Sequence, residues 1–298
     1  MPTLIMLVGV SGSGKTTFTE KKKDFLVFSS DKIRKECFGD ESDQTHNQKV
    51  FEILHKGIKD ALKTGNDCIY DATNLNRKRR IGFLKSLNGI SCIKKCVIFC
   101  TPIETCIDRD STRRRTVGEE VIKKQISQFQ LPLEYEGWDE IEFYFGDITK
   151  QKTLFDYIPK DKVPHDCPPW HLEDIQTHLY KTAIEMAKRT DREEMILSAR
   201  YHDIGKFYTK TFYNRAKNEK SDRAHYYSHE NWGAYLFMTS YEFRTRVEAR
   251  QALPLIALHM ELNFKNSSVL KNIPESLLED LKLLHECDKL GSERLVIE

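Results

Sequence analysis

Eight residues near the amino end, Gly9-Val10-Ser11-Gly12-Ser13-Gly14-Lys15-Thr16, constrain the fold of this chain more than any other feature. They fit the pattern G-x-x-x-x-G-K-[ST] and stand in the setting that pattern needs. Leu4 to Val8 is a short apolar run that reads as a buried strand, and Thr16 onward reads as a helix. In such a unit the main-chain N–H groups of Gly9, Ser11, Gly12, Ser13 and Gly14 can close round the α- and β-phosphates of a nucleotide at the helix N-terminus. Lys15 reaches the β- and γ-phosphates and the Thr16 hydroxyl ligates Mg²⁺, with Thr17 beside it in the nucleotide-contacting set. ATP or another nucleoside triphosphate with Mg²⁺ is the expected ligand. A glycine-rich turn without a ligand is the competing reading.

A chain of 298 residues predicts about two domains. Its 47 Lys and Arg nearly cancel its 45 Asp and Glu, so no overall basic excess announces nucleic acid, and any such contact must be a local patch. Met1 to Val10 is too short and too soon interrupted by glycine for a signal peptide, and no apolar run reaches the ~18 residues of a membrane helix. A cytoplasmic protein without a membrane partner is expected. The eight cysteines include no C-x-x-C pair; Cys92, Cys96 and Cys100 share one face of a strand-like segment and read as buried, reduced thiols.

Strand-like and helical stretches alternate through the first half, which predicts an α/β fold with a parallel sheet and crossover helices. Strands are expected at Leu4 to Val8, Phe25 to Phe28, Cys68 to Asp71, Cys92 to Cys100 and Ile141 to Phe145. Helices are expected at Asn47 to Lys63, Arg77 to Leu87, Cys106 to Arg113 and Glu119 to Phe129. The pattern dissolves from Gln151 to Pro169, so three parts are read: an α/β domain over 1–150, a connector over 151–169 and a second domain over 170–298.

Polar residues gather where an open α/β sheet places its site, past the carboxyl ends of strands. Asp31 and Arg34 follow the second strand. An aspartate there can accept the proton of an attacking hydroxyl, and an arginine one turn on can fork onto an acceptor phosphate. A helix-capping Asp31 with a solvated Arg34 is the plain alternative. Asp71-Ala72-Thr73-Asn74 follows the third strand, where Asp71 could hold Mg²⁺ through water or orient Arg34. Arg109 and Arg113, four apart on a predicted helix, share a face that could close over the γ-phosphate as a lid, or simply face solvent.

With these residues in view, the first 150 resemble the kinase domain of phage-type 5′-polynucleotide kinases and their RNA-repair relatives. The resemblance rests on Gly9 to Thr16, on Ser30-Asp31-Lys32-Ile33-Arg34, on Asp71 to Asn76 with Arg77-Lys78-Arg79-Arg80 beyond, and on the arginine-bearing lid before Val117-Gly118-Glu119-Glu120-Val121-Ile122. It implies that Asp31 is the general base toward a 5′-hydroxyl, that Arg34 grips the acceptor's phosphate, and that Arg113, or next to it Arg109, binds the transferred phosphate.

After residue 169 the pattern reads as entirely helical. His178 flanks an apolar face of Ile175, Leu179, Ala183 and Met186. His202-Asp203 ends a helix stopped by Gly205, His229 shares a face with Trp232 and Leu236, His259 with Leu255 and Leu258, and Asp288 completes a stripe of Leu277, Leu281 and Leu284. One inward histidine is ordinarily a satisfied core residue. Several unpaired polar groups converging in an apolar bundle would each cost a few kcal/mol, a cost that a divalent ion removes. Mixed imidazole and carboxylate ligands suit Mn²⁺, Fe²⁺, Ni²⁺, Co²⁺ or Zn²⁺.

His202-Asp203-Ile204-Gly205-Lys206 and His229-Glu230-Asn231-Trp232-Gly233-Ala234, with a histidine upstream, resemble the HD-superfamily phosphohydrolases over about residues 170–298. The resemblance implies a first metal site of His178, His202, Asp203 and Asp288, extended to a second ion by His229 and His259. Lys206 is either a contact to substrate phosphate or a solvated helix-end lysine. His225 reads as a bystander, and His165 and His171 carry no clear role.

Together the halves imply an enzyme that heals both ends of broken RNA or DNA, phosphorylating a 5′-hydroxyl and hydrolysing a 2′,3′-cyclic or terminal phosphate for a downstream ligase. A small-molecule kinase fused to a nucleotide hydrolase, and a nucleotide-sensing protein without catalysis, remain as alternatives.

Overall fold

Five residues without a charge, Leu4 to Val8, are buried on both faces, which suits them to the centre of a parallel sheet. In the computed structural model, which describes residues 1–148, 151–169 and 171–292, they are the middle strand of five. The described chain divides into two compact units, Met1–Gln125 with Pro132–Ile148, and Ile126–Leu131 with Thr149–Glu298.

The first unit runs β1 (Thr3–Val8), α1 (Lys15–Glu20), β2 (Leu26–Ser29), α2 (Ser30–Phe38), α3 (Asn47–Lys63), β3 (Cys68–Asp71), α4 (Arg77–Lys85), β4 (Ile93–Phe99), α5 (Ile103–Ser111) and β5 (Glu140–Tyr144), with α6 (Glu119–Ser127) before the last strand. All pairings are parallel, in the order β2-β3-β1-β4-β5. This is the α/β fold expected from the sequence. Helix α3 keeps the predicted bounds because Val50, Leu54, Ile58 and Leu62 line one buried face, each contributing about 1.5–3 kcal/mol. Cys92, Cys96 and Cys100 are buried free thiols.

The register sets the carboxyl ends of β1, β2 and β3 side by side, with Ser29 opposite Asp71. The turn after β3 is then pinned. Asn74, in the left-handed region at φ 48°, donates its side-chain amide to Leu7 O at 2.8 Å, and Gly9 N donates to Thr73 O at 3.1 Å. Behind the turn, the fully buried Arg80 forks onto Glu136 at 2.8 and 2.7 Å while its Nη1 donates to Asn74 O and Leu75 O, both at 3.0 Å. Two members of the basic run Arg77 to Arg80 therefore face inward, since Arg77 also lies 3.5 Å from Glu136.

The second unit contains α7 (Ile175–Ala187), α8 (Glu193–Tyr201), α9 (Lys206–Thr209), α10 (His229–Met238), α11 (Tyr241–Thr245), α12 (Val247–Leu258) and α13 (Glu275–Gly291). The expectation of an entirely helical pattern fails at one place: β6 (Lys210–Asn214) and β7 (Glu219–Tyr226) form an antiparallel hairpin. Leu179, Met186, Ala199, Trp232, Ile256 and Leu281 fill the core. No helix of the described residues is long and apolar enough to cross a membrane.

Glu136→Ala removes one partner of a buried ion pair and is expected to lower the unfolding free energy by about 3–5 kcal/mol in a urea titration.

Candidate functional site

In the first unit the site is built on a loop with little room to vary. Gly12 has φ 79°, and a Cβ there would lie 2.2 Å from the Cys106 carbonyl oxygen at the middle of α5. Lys15, the first residue of α1, donates its amine to Gly9 O at 2.9 Å and Val10 O at 2.7 Å. Gln125 accepts from Ser11 N at 2.7 Å and donates to Ser11 Oγ at 3.1 Å, a support with no sequence signal beyond its place on a helix. Ser13 is buried, and Thr16 and Thr17 stand exposed at the start of α1.

Charged groups gather around Lys15. Burial lowers its pKa, and the charges of Asp71, Arg113 and Asp31 are all felt there. Burial raises the pKa of Asp71, which Lys15 and a hydrogen bond to Ser29 oppose. Asp31 and Arg34 are brought together: the exposed carboxylate accepts from Arg34 Nη1 at 2.7 Å, and the buried guanidinium also donates to Asn47 Oδ1 at 2.8 Å. Arg34 Nε is buried without a hydrogen-bond partner among the described residues.

The lid differs from its expectation. Helix α5 begins three residues earlier than predicted and ends at Ser111, so Arg113 sits exposed in the following turn and does not share a helical face with Arg109. The cause is Asp110, whose buried carboxylate accepts from Val117 N at 3.0 Å and Gly118 N at 2.9 Å and folds the chain back. Arg109 leans toward the loop, with Nη1 3.4 Å from where a Cβ on Gly14 would be.

The second unit holds a denser cluster. His178 on α7, His202 and Asp203 just past α8, and Asp288 on α13 bring ligand atoms within 4.8 Å of one another, and Asp203, His229 and His259 do the same. Asp203 belongs to both groups through different oxygens. Its Oδ2 lies 3.2 Å from His202 Nε2 and 3.4 Å from His178 Nε2; its Oδ1 lies 3.1 Å from His229 Nε2 and 3.4 Å from His259 Nε2. Asp288 Oδ1 completes the first group at 3.0 Å from His178 and 3.4 Å from His202.

All four imidazoles present Nε2 inward, and in three of them Nδ1 is engaged behind. His202, His229 and His259 place Nδ1 at 3.0, 2.7 and 2.8 Å from the carbonyls of Ala199, Tyr226 and Ile256. His178 Nδ1 lies 3.4 Å from Glu173 Oε1. Across the cluster Nε2 faces Nε2 at 3.3 Å between His178 and His202 and at 3.1 Å between His229 and His259. Two neutral rings so held would oppose lone pairs, so each pair needs a proton or a cation between. Burial lowers the pKa of His178 and His202, but the carboxylates outweigh it: Asp203, Asp288 and Glu173 push His178 up to about 10, and Asp203 and Asp288 push His202 up to about 9. Burial alone would raise Asp203, yet Lys206, His202 and His178 hold it well below the usual carboxylate range. The donor set fits a borderline divalent metal ion.

Close backbone approach sets this spacing. A Cβ on Gly205 would lie 2.0 Å from His229 O and 2.6 Å from Gly233 N, so only glycine lets the turn after Asp203 meet α10. The connector residues matter as well. His165 stacks on His171 at 4.1 Å, its Nε2 lies 3.3 Å from Lys206 Nζ, and Glu173 Oε1 reaches His171 Nδ1 at 3.0 Å. Lys206 lies 2.5 Å from Asp203 Oδ2 and is not a solvated helix-end lysine.

Residues 4–132 match the family model described as AAA domain. L-seryl-tRNA(Sec) kinase of Methanococcus maripaludis is 24% identical over 192 residues, which cover 55% of this chain and 72% of that protein. Among solved structures, a chain of the Pnkp1/Rnl/Hen1 RNA repair complex is similar at 23% identity and a TM-score of 0.36, covering 43% of this chain and 44% of that one, less than half its length. A gluconokinase from Sinorhizobium meliloti 1021 is similar at 16% identity and a TM-score of 0.35, covering 49% of this chain and 84% of that one. The first unit is thus a P-loop kinase-like α/β unit, followed by a helical region.

Gly12→Ala is expected to weaken ATP binding about tenfold or more by calorimetry, a loss of at least ~1.4 kcal/mol, with the far-UV circular dichroism unchanged.

Proposed function

We propose that this chain heals nucleic-acid ends: it phosphorylates 5′-hydroxyl termini with ATP and hydrolyses 2′,3′-cyclic phosphate or 2′- or 3′-phosphate termini at a metal-dependent HD-type site. The observation that carries the reading is Asp203, one carboxylate facing two imidazole pairs, on the same chain as a nucleotide-type glycine loop. The simplest substrate needing both chemistries is a strand cut by a ribonuclease. The archaeal relative, by its name a kinase of seryl-tRNA, supports an RNA-borne acceptor.

In the kinase reaction Asp31 takes the proton of the 5′-hydroxyl as that oxygen bonds the γ-phosphorus, and the bond to the β–γ bridging oxygen breaks to release ADP. Exposure leaves Asp31 open to an acceptor, and the Arg34 guanidinium, fixed by Asn47, keeps its carboxylate oriented. In this reading Arg34 exchanges its bond to Asp31 for an acceptor phosphate when the substrate binds. Lys15, with Arg109 and Arg113 from the lid, balances charge on the transferred phosphoryl group. Thr16 would ligate the Mg²⁺ that accompanies ATP, and Asp71 would support it through water.

In the hydrolase reaction His178, His202, Asp203 and Asp288 would hold one divalent ion, and His229 and His259 with Asp203 a second. Such an ion supplies an activated water and neutralises a phosphoryl oxygen. Lys206, against Asp203 Oδ2, would meet a substrate phosphate. Glu173 is a positioning residue: its Oε1, 3.4 Å from a His178 Nδ1 that has no hydrogen-bond partner among the described residues, would favour the tautomer that turns Nε2 inward.

Asp31→Ala should abolish 5′ phosphorylation and leave 3′ processing intact, and Asp203→Ala the reverse, read from gel mobility of an end-labelled RNA bearing 5′-hydroxyl and 2′,3′-cyclic phosphate ends, incubated with ATP and Mn²⁺ or Ni²⁺. Loss of both activities in either variant would sink the two-site reading. Glu173→Gln is expected to weaken Mn²⁺ affinity about 10- to 100-fold in a metal titration.

A further inference from the structure

The β6–β7 hairpin has no part in either reaction, yet its two ends are rooted beside the imidazole–carboxylate cluster. β6 begins four residues after Lys206, and β7 ends three residues before His229. We propose that this hairpin seats a single strand of RNA and leads its 3′ end toward Asp203. The inference rests on the hydrolase reading and names the surface that makes the substrate a polymer.

Charge is the first support. Lys210, Arg215, Lys217, Lys220 and Arg223 stand against only Glu219 and Asp222 between residues 210 and 226, so this short segment carries more net positive charge than the +2 of the whole chain. Lys210 is structural, tied to Pro164 O at 2.5 Å and Asp166 at 2.7 Å. Lys220 and Arg223 are exposed and form no ion pair among the described residues. This is the local basic patch that a near-neutral chain must have if it is to hold a phosphate backbone.

Flat side chains are the second. The Arg215 guanidinium lies 4.4 Å from the Tyr227 ring centre, and Tyr227 stacks on His225 at 5.5 Å and 7°. Phe212 sits where the pairing register shifts between Thr211 and Tyr213, and it is 47% exposed. Tyr213, opposite Lys220, is 40% exposed. Ala224 alone is fully buried in either strand, so core packing does not account for the aromatics. Cations along a strand, interleaved with exposed rings, are what a single-stranded nucleic acid needs for backbone contact and base stacking. A protein partner or an anionic membrane would explain the charge and leave the stacked planar column without a use.

The test compares the full chain with Lys220→Ala/Arg223→Ala and with Phe212→Ala, using a 12-residue RNA ending in 2′,3′-cyclic phosphate and a nucleoside 2′,3′-cyclic phosphate too short to reach the hairpin. The double variant should raise KM for the RNA about tenfold or more with kcat little changed, and should flatten the dependence of log KM on log salt by about 1.4, or ~0.7 per lost phosphate contact. Phe212→Ala should raise the RNA KM about fivefold or more without changing that slope. Lys220→Arg/Arg223→Lys should behave as the parent. An unchanged RNA KM, or an equal rise for both substrates, overturns the proposal. If the parent turns over neither substrate, the hydrolase reading has failed, and anisotropy of a labelled 3′-hydroxyl RNA then decides the hairpin: affinity lost in the double variant supports it, and affinity retained overturns it. Binding to phosphatidylserine vesicles with none to RNA also overturns it.

Discussion

An imidazole whose Nδ1 hydrogen is engaged by a carbonyl has only a lone pair to offer from its other nitrogen. The second unit sets three such rings, with His178 as a fourth imidazole, round one carboxylate, in two pairs whose Nε2 atoms lie 3.3 and 3.1 Å apart. In a buried setting that arrangement repels itself unless positive charge lies between the rings, and an unsatisfied buried group costs about 1–3 kcal/mol. Asp203 and Asp288 supply the opposing charge, and the helices that carry the rings are spaced to suit. Gly205 against α10 and Gly291 against Thr182 of α7, where a Cβ would come within 2.4 Å, are the backbone contacts that fix that spacing. In the proposed reading the same repulsion is what gives the cluster its appetite for divalent ions.

The two units differ in how they hold their polar groups. The first relies on main-chain geometry: a glycine loop, a left-handed Asn74, and a turn braced by the buried Arg80–Glu136 pair. Two of its charged side chains, Asp31 and Arg113, are exposed. The second relies on side chains converging from several helices, each backed by a carbonyl or by Glu173. A loop of amides suits a phosphate chain, and a cage of imidazoles suits a cation.

Much of this was legible in the residues. The strand before the loop, the bounds of α3 and the inward stripes bearing His178 and Asp288 all follow from apolar periodicity, which reports burial directly. The misses share a cause: they lie where polar contacts override periodicity. Helix α5 stops short because the Asp110 carboxylate captures two amides of the next turn, an event with no apolar signature. The β6–β7 hairpin alternates nothing apolar, since it is wet on both faces apart from Ala224, and so carries no strand signal against the helical reading of its half. His165 in the proline-bearing connector, and His171 and Glu173 just past it, stand in chain without a period, and only the folded chain draws them to His178.

The amine of Lys15, bonded to the carbonyls of Gly9 and Val10, has a consequence for affinity. Those bonds keep the glycine loop in shape by itself, so the entropy of ordering it is lost when the chain folds and not when a nucleotide arrives. What an incoming triphosphate must do is draw one flexible side chain off two oxygens, a small local exchange. Such a loop should bind quickly and discriminate by charge, leaving the choice of acceptor to groups outside it.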